Sequence, residues 1–148
     1  MSNRAGPPFS LTIEVRDTCL CLHLQRAARA LARRFDDALR PLGLTNGQFS
    51  LLMSLNRPEP ASIKSVAALL GMDRTTLTAN LKPLERRGLV TGVVDAADRR
   101  TRLLVLTGAG RSLLASAAPI WRREHALVER TLPRGRADAL RADLIALS

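Results

Sequence analysis

The sequence predicts a mainly helical fold finished by one small β-hairpin, and three observations predict it. Apolar residues recur at helical spacing through most of the chain, glycines and prolines cut that pattern into segments, and residues 89–106 change to strand composition around a polar turn. Within 73–107 the order is a helix with a polar outer face, a strand, an arginine-tipped turn and a return strand, the outline of a winged helix-turn-helix. A length of 148 residues fits one domain with a real core. An aromatic share of 3% without tyrosine means that this core is built mainly from Leu, Ala and Val.

Taken in order, Met1 to Ser10 holds Gly6, Pro7 and Pro8 and reads as a flexible arm. Leu20, Leu24, Ala27, Leu31, Phe35 and Leu39 then mark the apolar stripe of a long first helix, which Pro41 and Gly43 end. Thr45 and Gln48 have the spacing of a capping box and open a helix that stops before Pro58. Ser62 can cap residues 63–70, with Gly71 at the left-handed C′ position and Gly71-Met72-Asp73 as the turn. Asp73 can cap the next helix, in which Leu77, Leu81 and Leu84 are the buried stripe and Gly88 the stop. Pro83 lies inside that helix, where it removes a donor, so a bend or an early stop after Lys82 is expected.

Leu89–Val94 and Arg102–Leu106 have strand composition, with residues 95–101 as the turn between them. Thr107 can cap a long helix that Pro119 should kink, and Pro133 separates a last helix in which Ala137, Leu140, Leu144 and Leu147 share a face.

The formal charge is +10, carried mostly by arginine because Lys64 and Lys82 are the only lysines. Arginine's rigid fork suits phosphates and guanine edges, and a field of this sign draws polyanions. No apolar run approaches the ~20 residues that span a bilayer, and the N-terminus lacks the pattern of a secretory signal, so a cytoplasmic protein is expected. Cys19 and Cys21 are the only cysteines, which excludes a disulfide framework; two apart on a helix, their side chains would point roughly 200° apart.

A helix-turn-helix lays its second helix in a major groove, so Arg74, Thr75, Thr76 and Thr78, on the first turns of that helix, are the candidates for reading bases and positioning the duplex. Lys82, farther along, suits a phosphate. In the turn between the strands, Arg99, Arg100 and Arg102 suit a narrow minor groove and its walls. Asp98 repels phosphate, so its role is a local ion pair or hydrogen bond that aims an arginine. The plainer readings are a solvated helix start and an exposed charged hairpin tip.

Thr45-Asn46-Gly47-Gln48-Phe49, the block Leu84-Glu85-Arg86-Arg87-Gly88-Leu89-Val90, Asp95-Ala96-Ala97-Asp98-Arg99-Arg100 and Leu104-Val105-Leu106-Thr107 with Gly110 occur in this order, and together they resemble the MarR family of bacterial transcription regulators. The resemblance implies a homodimer, with residues 11–44 and 108–148 as dimerisation helices and 45–107 as the winged lobe. It implies a pseudo-palindromic double-stranded DNA operator and repression relieved by a small molecule or an oxidant. It also makes Arg100, seven positions before Thr107, the minor-groove arginine. Cys21 sits where the family's hydroperoxide sensors resemble it, with Cys19 as joint redox candidate, although those sensors pair the thiolate with tyrosines that this chain lacks.

For a ligand input, Arg26, Arg29 and Arg33 could attract a small anionic or aromatic effector, though a solvated arginine face accounts for them equally. No metal is expected, since His23 with Cys19 offers two ligands and His125 stands apart. No cofactor is expected either, and the chain has no phosphate loop, nucleophile elbow or paired acid and histidine of an enzyme. The alternative to a regulator is a non-specific architectural DNA-binding protein.

Overall fold

In the computed structural model, which describes residues 6–148, the elements run α1 (Phe9–Thr18), α2 (Leu20–Leu39), a 3-10 turn (Arg40–Leu42), α3 (Asn46–Ser54), β1 (Ala61–Ser62), α4 (Ile63–Leu70), α5 (Arg74–Arg86), β2 (Val90–Val94), β3 (Arg102–Leu106), α6 (Gly108–Glu129) and α7 (Arg136–Ala146). Two compact units divide after Arg34, so α2 contributes to both.

In the first unit, residues 1–5 of the expected arm lie outside the described residues, and Phe9 and Ser10 prove helical. The correction has a local cause: Pro8 is extended at φ −66° and its carbonyl accepts the Leu11 amide at 3.1 Å, which lets the helix begin directly after the prolines. The single long helix expected here is also broken. Cys19 leaves helical geometry at ψ 108°, yet its amide still bonds Val15 O at 3.0 Å and its carbonyl accepts the His23 amide at 3.2 Å. Cys19 thus turns the chain while both of its own backbone groups stay hydrogen-bonded. Of the predicted stripe, Leu20 is 68% exposed, whereas Phe35 and Leu39, in the second unit, are buried.

The second unit holds the core, and it is aliphatic as the composition requires. Leu39, Leu51, Leu52, Val66, Leu77, Leu81, Leu84 and Leu104 are its largest fully buried side chains. Leu114 and Ala117 of α6 join the same cluster. The sheet has the order β1-β3-β2 with antiparallel pairing, Ala61 opposite Leu104 and Gly92 opposite Leu104 from the other side. The hairpin was expected. Strand β1 was not, because its two residues are too few for any periodicity, and Ser62 serves both as strand end and as cap of α4 through Ser65 N at 3.1 Å.

Helix starts follow the capping rules. Thr45 and Gln48 form the reciprocal box, and Asp36 Oδ1 takes the Asn46 amide at 2.6 Å. Asp73 accepts the Thr76 amide at 2.8 Å. Gly71 and Gly88 take φ values of 64° and 69°, the left-handed conformation that ends α4 and α5.

Helix α5 runs on to Arg86, so the early stop at Pro83 does not occur. Proline costs about 3 kcal/mol inside a helix. Burial of Leu81 and Leu84 on either side, each worth about 2 kcal/mol, offsets this. Helix α6 likewise continues through Pro119. The shared apolar face of α7 meets nothing in this core, for no residue of that helix is buried; Arg141 ties it to Glu129 of α6 at 2.6 Å.

The junction between β3 and α6 is closely held. Thr107 donates its hydroxyl to Gly88 O at 2.6 Å, accepts the Gly110 amide at 3.0 Å, and donates its own amide to Leu89 O at 3.1 Å. Gly110 is pressed against the backbone of Leu89. A Cβ there would collide with Leu89 O and meet Leu106 Cδ2 at 3.3 Å, whereas one at Gly108 would meet nothing within 4 Å. Gly110→Ala is therefore expected to lower unfolding free energy by about 1–3 kcal/mol in urea titrations, the usual cost of overpacking, while Gly108→Ala stays near the parent.

The amide of Thr76 first, and then its hydroxyl, hold the Asp73 carboxyl below the ordinary carboxylate range. A carboxylate so depressed adds stability that is complete above its unfolded value, about pH 4, and drains as pH falls through the lowered native value. The urea-midpoint difference between the parent and Asp73→Ala should accordingly be constant from neutral pH to about pH 5 and narrow below about pH 4.

Candidate nucleic-acid interface

Because Leu77, Leu81 and Leu84 face the core, the opposite side of α5 is turned outward, and Arg74, Thr75, Thr76, Thr78 and Lys82 are all exposed. Their hydrogen bonds separate them. Asp73 spends both carboxylate oxygens on Thr76, at 2.8 Å to the amide and 2.7 Å to the hydroxyl. The Thr78 hydroxyl donates to Arg74 O at 2.8 Å. Thr76 and Thr78 thus have their hydroxyl protons committed and offer a ligand only lone pairs and methyl groups. Arg74, Thr75 and Lys82 keep their side-chain donors free of partners among the described residues. The positive end of the helix dipole lies beneath the first two.

The hairpin tip is shaped by its two aspartates. Asp95 Oδ1 accepts the Ala97 amide at 2.9 Å, and Asp98 accepts the Arg100 amide at 3.0 Å and the Thr101 hydroxyl at 3.1 Å. Each is a side chain bonding the backbone two residues on, the device that fixes tight turns. Asp98 therefore orients Arg100 through its amide, by a hydrogen bond rather than an ion pair. The Arg99 and Arg100 guanidinium groups stand exposed, with no hydrogen-bond or ion-pair partner among the described residues.

Arg102 is placed differently from Arg99 and Arg100. It forms an ion pair with Glu85, in the last turn of α5. Its side chain lies across Gly92 of β2, where a Cβ would meet Arg102 Cζ at 2.8 Å. Glu85 and Gly92 were not among the sequence candidates. A glutamate in the Leu84-Glu85-Arg86-Arg87 run is one charge among several, and nothing local marks it as the partner of a strand residue. Arg87 is also anchored, by Gly43 O at 2.8 Å.

The residues expected to carry an input fall in separate places. Cys19 sits at the break between α1 and α2, half-buried, its sulfur accepting the Leu22 amide at 3.4 Å; Cys21 is exposed on α2 and accepts from Gln25 Nε2 at 3.3 Å. Since Cys19 is not helical, the angular separation expected for two helical cysteines does not apply. Arg26, Arg29 and Arg33 do share a face, lining with His23 an open groove of about 530 Å³ along α2. His23 Nδ1 is bonded to Cys19 O at 2.8 Å, and the described residues contain no cluster of three metal-binding side chains.

A different cavity, of about 450 Å³, lies in the second unit between α3, α4 and α6. Phe49, Met53, Leu69, Leu70 and Trp121 supply apolar walls, and Arg122 a cation. Trp121 is the middle of a stack, 6.3 Å from Phe49 and 4.7 Å from His125 between ring centroids. Sequence reading placed Trp121 on its helix and missed the cavity; the chain's sole tryptophan was the available signal.

A profile of the MarR family matches residues 42–101. The organic hydroperoxide resistance transcriptional regulator of Bacillus subtilis is 32% identical over 101 residues, 68% of this chain and 69% of that protein. Against other curated relatives the chain spans about half their length, 50% and 54% in two cases. Among solved structures, the transcriptional repressor CouR of Rhodococcus jostii, bound to a 23-mer DNA duplex, superposes with a TM-score of 0.80 at 30% identity, covering 97% of this chain and 99% of that one. The M. tuberculosis transcriptional regulator MosR in complex with DNA gives 0.75 at 40% identity, over 87% of this chain and 96% of that one. No helix among the described residues is long and apolar enough to cross a membrane. Sequence, motif order and three-dimensional arrangement agree: this chain is a winged helix-turn-helix member of the MarR family of transcription regulators.

Proposed function

We propose that the chain acts in the cytoplasm, without catalysis, as a homodimeric repressor that binds a double-stranded operator sequence-specifically and releases it when a small aromatic or anionic effector binds. The observation that carries this reading is the division of labour among the exposed polar groups. Among the described residues, Arg74, Thr75 and Lys82 on α5 and Arg99 and Arg100 on the hairpin keep their side-chain donors free, while the neighbouring Asp73 and Asp98 are used up inside the protein. Groups of the sign and geometry that suit bases and phosphates are left available, and the acids beside them are bonded to backbone and hydroxyl groups. The relatives whose structures contain DNA support the same reading.

Support for a dimer comes from apolar side chains without cover in each unit, Leu11, Val15 and Leu20 in one and Leu140, Leu144, Ile145 and Leu147 in the other. For the input we favour the Trp121 cavity. An arene fits against the indole, and a carboxylate fits Arg122. The structure of CouR with p-coumaroyl-CoA supports an effector that combines an aromatic ring with negative charge.

The binding class is tested with the tightest duplex recovered from random 25-base-pair DNA. A regulator prefers it to bulk DNA by ~10³ or more, whereas a sequence-blind ratio would mean an architectural protein. Arg100→Ala is expected to weaken binding and lower the salt slope by about 1, and Thr75→Ala to change which bases are selected with the slope kept.

Trp121 also reports on the cavity. Aromatic carboxylates that release the DNA should quench its emission at the same concentrations, and Arg122→Gln should raise the concentration needed by about tenfold, the size of one lost charge-assisted hydrogen bond. Unchanged emission during release would place the effector elsewhere.

A further inference from the structure

We infer that Glu85, Arg102 and Gly92 form a brace that sets the position of the hairpin relative to the reading helix, so that Arg102 acts as a specificity-positioning residue and not as a DNA contact. The inference rests on the DNA-binding reading above and adds to it a role for three residues drawn from three elements.

Arg102 starts β3 and pairs in the sheet with Val94, at the far end of β2 from the core. From there its side chain lies back over Gly92 toward α5 and meets the Glu85 carboxylate. Glu85 is the better shielded partner, its side chain 24% exposed against 53% for Arg102. The space for this path exists only because residue 92 lacks a Cβ, since one there would overlap the guanidinium. Among the described residues, the other hydrogen bonds of the outer hairpin are those of its own ladder and turn. The ion pair is therefore the side-chain link that ties the outer strands to the helix carrying Arg74 and Thr75.

Such a link matters for recognition because helix and hairpin must engage the duplex at once. With the hairpin fixed, Arg100 arrives in register with the α5 contacts, and the ordering cost is met before DNA arrives. With it loose, that cost falls on binding, and it falls on the specific complex, in which both elements must fit. Bulk DNA, gripped by charge, is indifferent to the register.

The test compares the parent with Glu85→Gln, Arg102→Gln and the double variant, all checked for native circular dichroism. Each binds the selected duplex and poly(dI-dC) over a salt series, with hydrogen exchange followed at the amides of residues 92–94 and 102–104. The brace predicts that Glu85→Gln weakens the selected duplex roughly five- to tenfold, the usual range for a lost coupled pair, and leaves poly(dI-dC) within about twofold. It predicts that the double variant loses no more than either single, and that Glu85→Gln speeds exchange of the hairpin amides. If Arg102 instead grips phosphate, Glu85→Gln frees it and binding to both DNAs tightens, Arg102→Gln cuts the salt slope by about 1, and the inference is overturned. Additive losses in the double variant overturn it too. Should the parent select no duplex, the DNA-binding reading falls by itself, and the exchange data alone decide the brace: unchanged rates in Glu85→Gln reject it.

Discussion

The interaction on which the rest depends is the burial of one side of α5. Leu77, Leu81 and Leu84 are each at or near complete burial, and together they fix the rotation of the helix about its own axis. Once that rotation is set, Arg74, Thr75 and Lys82 can only face outward, and the chain leaving Gly88 must enter the sheet through the buried Leu89 and Val90. The polar surface is thus a by-product of an apolar choice. A change that slipped the stripe by one residue would turn the whole outward face by about 100°.

Charge then separates structural from available groups within a few residues. Acids and arginines lie close together along α5 and the hairpin, yet each acid has a specific partner: Asp73 holds Thr76, Glu85 holds Arg102, Asp95 holds the Ala97 amide and Asp98 holds the Arg100 amide. The positive potential outside is shaped as much by which arginines are tied down as by how many there are. Net charge alone would not distinguish Arg100, whose side chain is free, from Arg102, whose side chain is engaged.

What could be read from the sequence was local. The Thr45, Ser62, Asp73 and Thr107 caps each join residues three apart, and the glycine stops act at single positions, so the order of elements in the winged lobe followed from neighbours in the chain. The early stop expected at Pro83 does not occur, because the local penalty is real but the burial of Leu81 and Leu84, a tertiary effect, overcomes it. The break at Cys19 has no proline or glycine to announce it. Strand β1 exists only because β3 is there to pair with it. The Glu85 to Arg102 pair joins residues 17 apart through the space above a glycine, and the Phe49 to Trp121 stack joins helices α3 and α6. Those contacts belong to the packing of the unit, and no pattern within either segment encodes them.

The threefold attachment of Thr107 has a mechanical consequence. Helix α6 is 22 residues long, a rod of about 33 Å, and its first turn is clamped to the backbone of Gly88 and Leu89, the root of the hairpin. Trp121 lies more than halfway along that rod, between the rings of Phe49 and His125. A stiff lever pinned at one end turns small sideways pushes near its middle into rotation at the pin. Over that reach, a displacement of the indole by an ångström corresponds to a tilt of roughly three degrees about the clamped first turn, at the root of the hairpin.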